Sequence, residues 1–214
     1  MTPPEFLLLE GAQRLKIGLD ERVAGLLSRY CDELLRWNRR INLVARRTGR
    51  EEALEKHFLD SLALLPLLNG YGVDDSLLDV GTGAGFPGLV IAAARPELRV
   101  TLVEPRRKRV AFLRHIVRTL DLKNVRLIAC RIEQASTLAD QRFGWVTGRA
   151  VAEPAAFLAM LTPVLKRQVK VILMLSRSGR ASWQERPVPG FRVQMTREYL
   201  LPYSGSFRCL IVLG

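Results

Sequence analysis

The stretch LLDVGTGAGFPG, from Leu77 to Gly88, constrains the fold more than any other part of this 214-residue chain. It places an apolar run directly before four glycines, at positions 81, 83, 85 and 88, and a second apolar segment follows. Glycine is needed where the backbone takes a positive φ or where a ligand must approach it closely. The order of strand, glycine loop and helix predicts a parallel α/β unit whose loop is either a tight turn or the seat of a nucleotide-like ligand.

The sequence from residue 69 onward alternates short apolar runs with helical segments, which predicts a mostly parallel sheet with helices on both faces. The predicted strands are SLLDV, RVTLVE, VRLIAC, FGWVTGRA and VKVILML, and IEQASTLAD is predicted as a short helix. The last segment predicts a β-hairpin with the arms GFRVQMTREYLL and RCLIVLG around PYSGSF. This hairpin is expected to add an antiparallel strand to the sheet.

Residues 1–68 form a different unit, because their apolar residues repeat with a helical period. We expect an N-terminal helical extension over 1–68, a turn-rich junction at LNGYGVDD, and one compact α/β core over 69–214. Asp20 is placed to cap the longest helix. The predicted buried stripe of that helix consists of Val23, Leu26, Leu27, Tyr30, Leu34, Leu35 and Trp37.

The charge is strongly basic, with 33 Lys and Arg against 21 Asp and Glu, a net charge of +12. Such a surface attracts polyanions, so a nucleic acid, an anionic membrane or no partner at all stay possible on charge alone. Three cysteines without a C-x-x-C pair, and two histidines, favour neither disulfides nor a metal site. No bilayer-spanning stretch or good signal peptide is evident, so a cytoplasmic protein is expected.

The second predicted strand ends in Glu104, about 20 residues after the glycines, where a carboxylate can bind both hydroxyls of a ribose. GAGFPG formally fits the NAD-binding pattern, so NAD is one candidate. Against it, Asp79 lies within the first strand's end, and no second domain of comparable size could hold a hydride acceptor. LDVGTGAG instead resembles the first motif of class I S-adenosylmethionine-dependent methyltransferases, which have a Rossmann-like fold.

Five segments narrow this resemblance: LLRWNRRINLVA, KHFLDSL, DVGTGAGFPGLVIA, KRVAFLRHI and GRAVA. In this order and spacing, over roughly residues 25–175, they resemble the bacterial small-subunit ribosomal RNA methyltransferase G family. The resemblance implies transfer of a methyl group from S-adenosylmethionine to N7 of guanine 527, in the 530 loop of 16S ribosomal RNA. The cofactor-binding residues that it implies are Asp79, Gly81, Gly83, Phe86, Glu104, Ile132, Glu133 and Arg149.

Two positions depart from the family pattern. Gly148 stands where members commonly have serine, and Ser176 stands where they usually have lysine, whose charge Arg177 could replace. A guanine N7 atom carries a lone pair and no proton, so its methylation needs positioning rather than a general base. No residue is therefore assigned as catalytic. The best candidate for such a role, at the mouth of the reaction site, is Arg149. His57 and Asp60, three residues apart, could form an acid–base pair or pack a helix against the core.

Two basic clusters are the predicted contacts to RNA: Arg106, Arg107, Lys108 and Arg109 in one, and Arg39, Arg40, Arg46 and Arg47 in the other. Trp37 and Phe86 could stack on an unpaired base, although for Trp37 a place in the core is the favoured interpretation. The predicted partner is 16S RNA or the small ribosomal subunit, bound by a monomer without metal or membrane. A binding module without activity and a small NAD(P)-dependent reductase are the alternatives.

Overall fold

The computed structural model describes residues 3–68, 76–138, 141–149, 153–161, 169–185 and 188–214. Its strands are β1 (Ser76–Val80), β2 (Arg99–Val103), β3 (Val125–Ile128), β4 (Trp145–Gly148), β5 (Lys170–Leu175), β6 (Val193–Leu200) and β7 (Phe207–Leu213). They form one sheet in the order β3-β2-β1-β4-β5-β7-β6.

Strands β1 to β5 pair in parallel, so their carboxyl ends meet at one edge of the sheet. The first strand is buried along its whole length, as its apolar sequence predicts for a strand covered on both faces. The C-terminal hairpin is confirmed: β7 inserts between β5 and β6 and is antiparallel to both. This pairing brings the start of β7 to the edge where the parallel strands end.

The helices are α1 (Pro4–Arg14), α2 (Glu21–Asn38), α3 (Arg50–Ala53), α4 (Asp60–Leu62), α5 (Gly88–Ala94), α6 (Arg107–Thr119), α7 (Pro154–Leu161) and α8 (Arg177–Glu185). The short helix predicted over IEQASTLAD is wrong, because that segment forms two 3₁₀ turns, Ile132–Gln134 and Ser136–Leu138. Ala135 between them, at ψ 58°, leaves the helical region and ends the first turn. Within the described residues, no helix has the length and apolar content of a bilayer span.

The N-terminal segment packs on the core through helix α2. Its predicted cap is confirmed, since the carboxylate of Asp20 accepts a 2.7 Å hydrogen bond from the amide of Val23. One apolar cluster joins Leu27 and Leu34 of this helix to Leu89 of α5 and Phe112 of α6. The predicted division at residue 68 stays a prediction, and the junction itself, from residue 69 to 75, lies outside the described residues.

Candidate active site

The glycine loop leaves β1 in a conformation that few other residues adopt. Gly81, Gly83 and Gly85 have φ angles of 66°, 62° and 94°. The amides of Gly81 and Thr82 both donate to the carbonyl of Val103, at 2.9 and 3.2 Å, which fixes the start of the loop to the end of β2. The loop is therefore held in a defined conformation at the carboxyl edge of the sheet.

Asp79 lies under this loop with no exposed surface. Its Oδ2 atom accepts hydrogen bonds from the Thr82 hydroxyl at 2.6 Å and the Gly88 amide at 2.8 Å. No described residue donates to its other oxygen, Oδ1. Burial raises the pKa of Asp79 to about 7, against the two hydrogen bonds that lower it. An orphaned carboxylate oxygen in the interior is costly, and such a group commonly marks a functional site.

Glu104 closes the other side of the loop. It is 2% exposed at the end of β2, and its Oε2 atom accepts a 3.0 Å hydrogen bond from the amide of Gly83. Its Oε1 atom accepts a 2.8 Å bond from the amide of Arg106, at the start of α6. The guanidinium of Arg109 lies 3.7 Å from Oε2. The predicted adjacency of the glycine loop and the acid of the second strand is thus present in the structure.

Helix α2 supports the loop from below. The hydroxyl of Tyr30 donates a short hydrogen bond to the carbonyl of Ala84, and a Cβ atom on Gly85 would collide with this hydroxyl. The Phe86 ring stacks between Tyr30, with centroids 5.5 Å apart, and His57, at 5.0 Å. Only 4% of Phe86 is exposed, so the suggestion that this ring stacks on an RNA base is wrong. Its part in the cofactor site stays a prediction.

Arg149 follows β4 and reaches back to the N-terminal segment. Its Nη1 atom donates to the carbonyl of Lys56 at 2.9 Å and lies 3.3 Å from Oδ2 of Asp60. Its Nη2 atom lies 2.7 Å from Nδ1 of His57. Lys56 and His57 belong to a π-helical turn, Leu54–Leu59, a local form that is frequent at functional sites. The guanidinium is thus held at the carboxyl edge of the sheet by three separate groups.

This contact decides the state of His57. Arginine has donors only, so Nδ1 of His57 accepts and its proton is on Nε2. Burial, and after it the charge of Arg149, lowers the pKa of His57 to about 3. The imidazole is neutral at pH 7 and far too weak a base for proton abstraction. Of the two interpretations of His57 and Asp60, the structure favours packing, since both bind Arg149.

Asp60 connects three distant parts of the chain. Its Oδ1 atom accepts a 2.7 Å hydrogen bond from the Tyr199 hydroxyl and lies 3.3 Å from Nε of Arg208. With Arg149 on its second oxygen, this buried carboxylate has two arginines and a tyrosine as partners. The cluster lines a cavity of about 430 Å³ that Ser176 and Glu153 also border. More basic than acidic side chains line this cavity, which suits a ligand that carries negative charge.

The two remaining predicted cofactor residues follow β3: Ile132 is 3% exposed, while Glu133 is exposed. Ser176, at the position of the family's lysine, precedes α8, where its hydroxyl accepts a 3.3 Å hydrogen bond from the amide of Gly179. Arg177 packs its guanidinium 4.8 Å from the centre of the Phe207 ring. Arg177 is exposed and contacts β7 through this ring, and its possible replacement of the lysine charge stays a prediction.

The other departure, Gly148, is explained by space. A Cβ atom at this position would lie 2.5 and 2.6 Å from two ring carbons of Phe157 and 2.9 Å from the carbonyl of Val80. Real Cβ contacts are not this short, so the ring of Phe157 occupies the volume that a serine side chain needs. The glycine and the phenylalanine form a matched pair.

We expect Gly148→Ser to lower the free energy of unfolding by about 1–3 kcal/mol through overpacking. The cost should be smaller in a Phe157→Leu background, and urea unfolding of the four proteins measures this coupling. Gly25→Ser is the matched control, because nothing lies within 4 Å of a Cβ atom there. Equal costs of Gly148→Ser in both backgrounds would show that the ring is not the obstacle.

The predicted RNA contacts largely come together. A cavity of about 380 Å³ is lined by Arg40, Ile41, Asn42, Arg46 and the whole run from Arg106 to Arg109. Arg39 borders a neighbouring groove, and Arg47 is exposed but borders neither of the two. Among the residues that the structure describes, no group of three or more histidine, cysteine or acidic side chains is arranged to hold a metal ion.

Sequence reasoning missed the partners that hold these groups. Tyr30 was assigned to the helix stripe only, and Tyr199 and Arg208 were not singled out. Both lie 139 or more residues from Asp60, on arms of the C-terminal hairpin. No pattern in the neighbouring sequence indicates such contacts. The one available signal is their place near the tip of a hairpin predicted to join the sheet at the site edge.

The profile of the rRNA small subunit methyltransferase G family matches residues 24–194. A protein named Ribosomal RNA small subunit methyltransferase G from Desulfotalea psychrophila is 44% identical to this chain, covering 96% of both chains. One of the same name from Syntrophotalea carbinolica is 40% identical, covering 96% of this chain and 95% of its own.

Solved structures give the same fold at lower identity. The structure of a SAM-dependent methyltransferase from Aquifex aeolicus has a TM-score of 0.56 at 20% identity, covering 75% of this chain and 91% of that chain. A mutant of MtNAS in complex with S-adenosylmethionine has a TM-score of 0.58 at 15% identity, covering 96% and 80%. The predicted class I methyltransferase fold is confirmed.

Proposed function

Because the chain belongs to the rRNA small subunit methyltransferase G family, we propose that it transfers the methyl group of S-adenosylmethionine to N7 of guanine 527 in 16S ribosomal RNA. The observation that carries this proposal is the pair of buried carboxylates, Asp79 and Glu104, on either side of a glycine loop with positive φ angles. They lie at the ends of adjacent strands, which is where an open α/β sheet binds its ligand.

The residues present fit S-adenosylmethionine. Oδ1 of Asp79 has no donor among the described residues, and a cationic ammonium group of the cofactor would satisfy it. Glu104 faces the loop from the second strand, where it can accept from ribose hydroxyls. Ile132 offers an apolar side chain at the end of the third strand for the adenine. The cofactor supplies a methyl group on a positively charged sulfur, which is an electrophile without further activation.

The chain's own residues then have a positioning task. Guanine N7 presents its lone pair directly, so no proton must be removed before the displacement. This suits a site in which the one nearby imidazole, His57, is neutral and bound to Arg149. Arg149 lines the same cavity as Asp60 at the carboxyl edge of the sheet, where its guanidinium can orient the base or its phosphate.

The RNA side of the proposal is supported by the basic cavity beside the loop. Six cationic residues line it, and Arg109 also approaches Glu104. This arrangement brings a polyanion to the mouth of the cofactor site rather than to a remote face. We propose the small subunit or its RNA as the substrate and a monomer as the active form, since the N-terminal helices already cover the face formed by α5 and α6.

The test is methyl transfer to defined RNA. Intact small subunits and naked 16S RNA that lack the modification are incubated with the protein and S-adenosylmethionine, and mass analysis of nuclease fragments locates any methyl group. One methyl at N7 of guanine 527 supports the proposal, and the preferred substrate identifies the assembly stage.

Absence of methylation on both substrates would overturn the proposed activity. Calorimetry with S-adenosylmethionine and with NAD then separates the alternatives. Binding of the first without transfer leaves a binding module, and binding of NAD alone points to a reductase.

A further inference from the structure

A second groove lies next to the basic cavity, and no residue of the glycine loop lines it. It has a volume of about 550 Å³ and is lined by Arg36, Trp37, Arg39, Arg40, Ile41 and His115. These residues come from the end of α2, the turn after it, and the second half of α6. The groove thus combines an indole, an imidazole and three guanidinium groups, and neither the cofactor nor the reacting base is placed there.

The indole of Trp37 is fixed but not enclosed. One side packs on Phe112, with ring centres 5.6 Å apart, and another on His115, at 5.2 Å. The residue is partly exposed, whereas Trp145 and Trp183 are 4% and 6% exposed. The sequence favoured the core for Trp37, and the structure shows a ring that packs against the apolar core and also borders a groove.

The charges around the ring suit a nucleotide. Arg36 is paired with Glu33 at 2.6 Å, and the same carboxylate oxygen lies 2.6 Å from Nε2 of His115. Glu33 is thereby shared between two partners and orients the imidazole beside the indole. For Arg39 and Arg40, no described carboxylate lies within ion-pair distance, and both side chains are exposed. Two guanidinium groups without an acidic partner among the described residues, beside an aromatic ring, match the phosphate and the base of one nucleotide.

The groove continues into the basic cavity, because Arg40 and Ile41 border both. That cavity in turn extends along the start of α6 to Arg109, which lies 3.7 Å from Glu104. A single RNA strand could follow this path from Trp37 to the cofactor loop. The base at Trp37 is then a flanking base and not the one that receives the methyl group.

We propose that Trp37 is a stacking platform for an unpaired flanking base of the RNA substrate, with Arg39 and Arg40 binding the adjoining phosphates. The identity of the RNA rests on the proposed function, while the platform itself rests on the geometry of the groove. Stacking of one base on an aromatic ring contributes about 1–3 kcal/mol, so loss of the ring should weaken binding about 5- to 150-fold.

Tryptophan fluorescence gives a direct test, since Trp37 is the partly exposed one of the chain's three tryptophans. An oligoribonucleotide with the 530-loop sequence is titrated into the protein without methyl donor. We expect quenching with the wild type and with Trp183→Phe, and loss of quenching with Trp37→Phe at an affinity within about threefold of wild type, since a phenyl ring still stacks. Trp37→Leu should bind at least about 5-fold more weakly.

A series of oligonucleotides, each with one abasic unpaired position, should contain one member that binds the wild type as weakly as the intact RNA binds Trp37→Leu. Far-ultraviolet circular dichroism confirms that each variant is folded. Quenching that persists in Trp37→Phe, or equal affinity of Trp37→Leu and wild type, would overturn the platform. RNA that quenches Trp37 but is never methylated would uphold the platform and refute the proposed activity. Methylation of RNA that does not quench the fluorescence of Trp37 would uphold the proposed activity and refute the platform.

Discussion

Replacing Asp79 by asparagine is expected to stabilise the cofactor-free protein at pH 8 by up to about 4 kcal/mol and to remove most of its affinity for S-adenosylmethionine. The wild-type carboxyl has a pKa of about 7 in the folded chain against 3.8 when unperturbed. The folded state therefore retains a proton that the unfolded chain has lost, and the stability of the wild type falls as pH rises from about 4 to about 7.

Asparagine keeps an acceptor for Thr82 and Gly88 but carries no charge to bury. Urea unfolding of both proteins between pH 4.5 and 8.5 should give curves that separate as pH rises, and the difference cancels contributions from His57 and other groups. Asp32→Asn, at a half-exposed carboxylate paired with Arg50, is the control and should show no such separation. A pH-independent difference at Asp79 would contradict the buried-charge account.

The loss of binding in Asp79→Asn follows from the same carboxylate. An amide cannot offer the charged acceptor that a cofactor ammonium needs, and such a loss costs at least about 2–3 kcal/mol, or about 100-fold in affinity. Binding to the wild type below pH 7 should also release a proton from Asp79, because the bound cation favours the carboxylate. Calorimetry in buffers of different ionisation enthalpy detects that proton. If Asp79→Asn still released a proton on binding, the proton would come from another group.

Replacing Asp60 by alanine is expected to lower the free energy of unfolding by about 3 kcal/mol. The change leaves Arg149 and Arg208, both largely covered, without their shared carboxylate, and the Tyr199 hydroxyl without its closest acceptor. Asp32→Ala is the matched control, since its partner Arg50 is 44% exposed, and it should cost less than about 1 kcal/mol. Equal costs at the two sites, measured by denaturant unfolding, would refute a structural role for this cluster.

Methyl transfer gives a second readout for Asp60. Asp60→Asn retains an acceptor for Tyr199 but weakens the hold on both guanidinium groups, so it should fold. If Arg149 is positioned through Asp60, the variant should lose kcat at least about tenfold with little change in the affinity for the cofactor. A stable variant with wild-type kcat would leave Asp60 as a structural residue only.

The sequence predicts those parts of the fold that depend on neighbours along the chain. The buried strand before Gly81, the cap at Asp20 and the C-terminal hairpin follow from local periodicity and backbone preference, and the structure contains each of them. The position of Glu104 beside the loop follows from the rule that parallel strands end at one edge. These features could be predicted because each is determined within about 20 residues.

The supports of the site could not be predicted in that way. The contact of Tyr30 with Ala84 spans 54 residues, and that of Tyr199 with Asp60 spans 139. Both arise from the packing of whole elements, and neither leaves a pattern in the residues around it. The two 3₁₀ turns after β3 were predicted as one helix because a single residue, Ala135, interrupts a segment whose composition suits a helix.

The hydrogen bond from Tyr30 to the glycine loop has a consequence for the exchange of segments between related proteins. One of the contacts that hold the loop comes from a residue 54 positions before Ala84, in the N-terminal segment. A chimaera that joined residues 76–214 to a foreign N-terminal segment would keep the four glycines of the loop and lose the Tyr30 hydroxyl that contacts it. The two segments must therefore be exchanged together, as one cassette, for the donor's cofactor loop to be passed on intact.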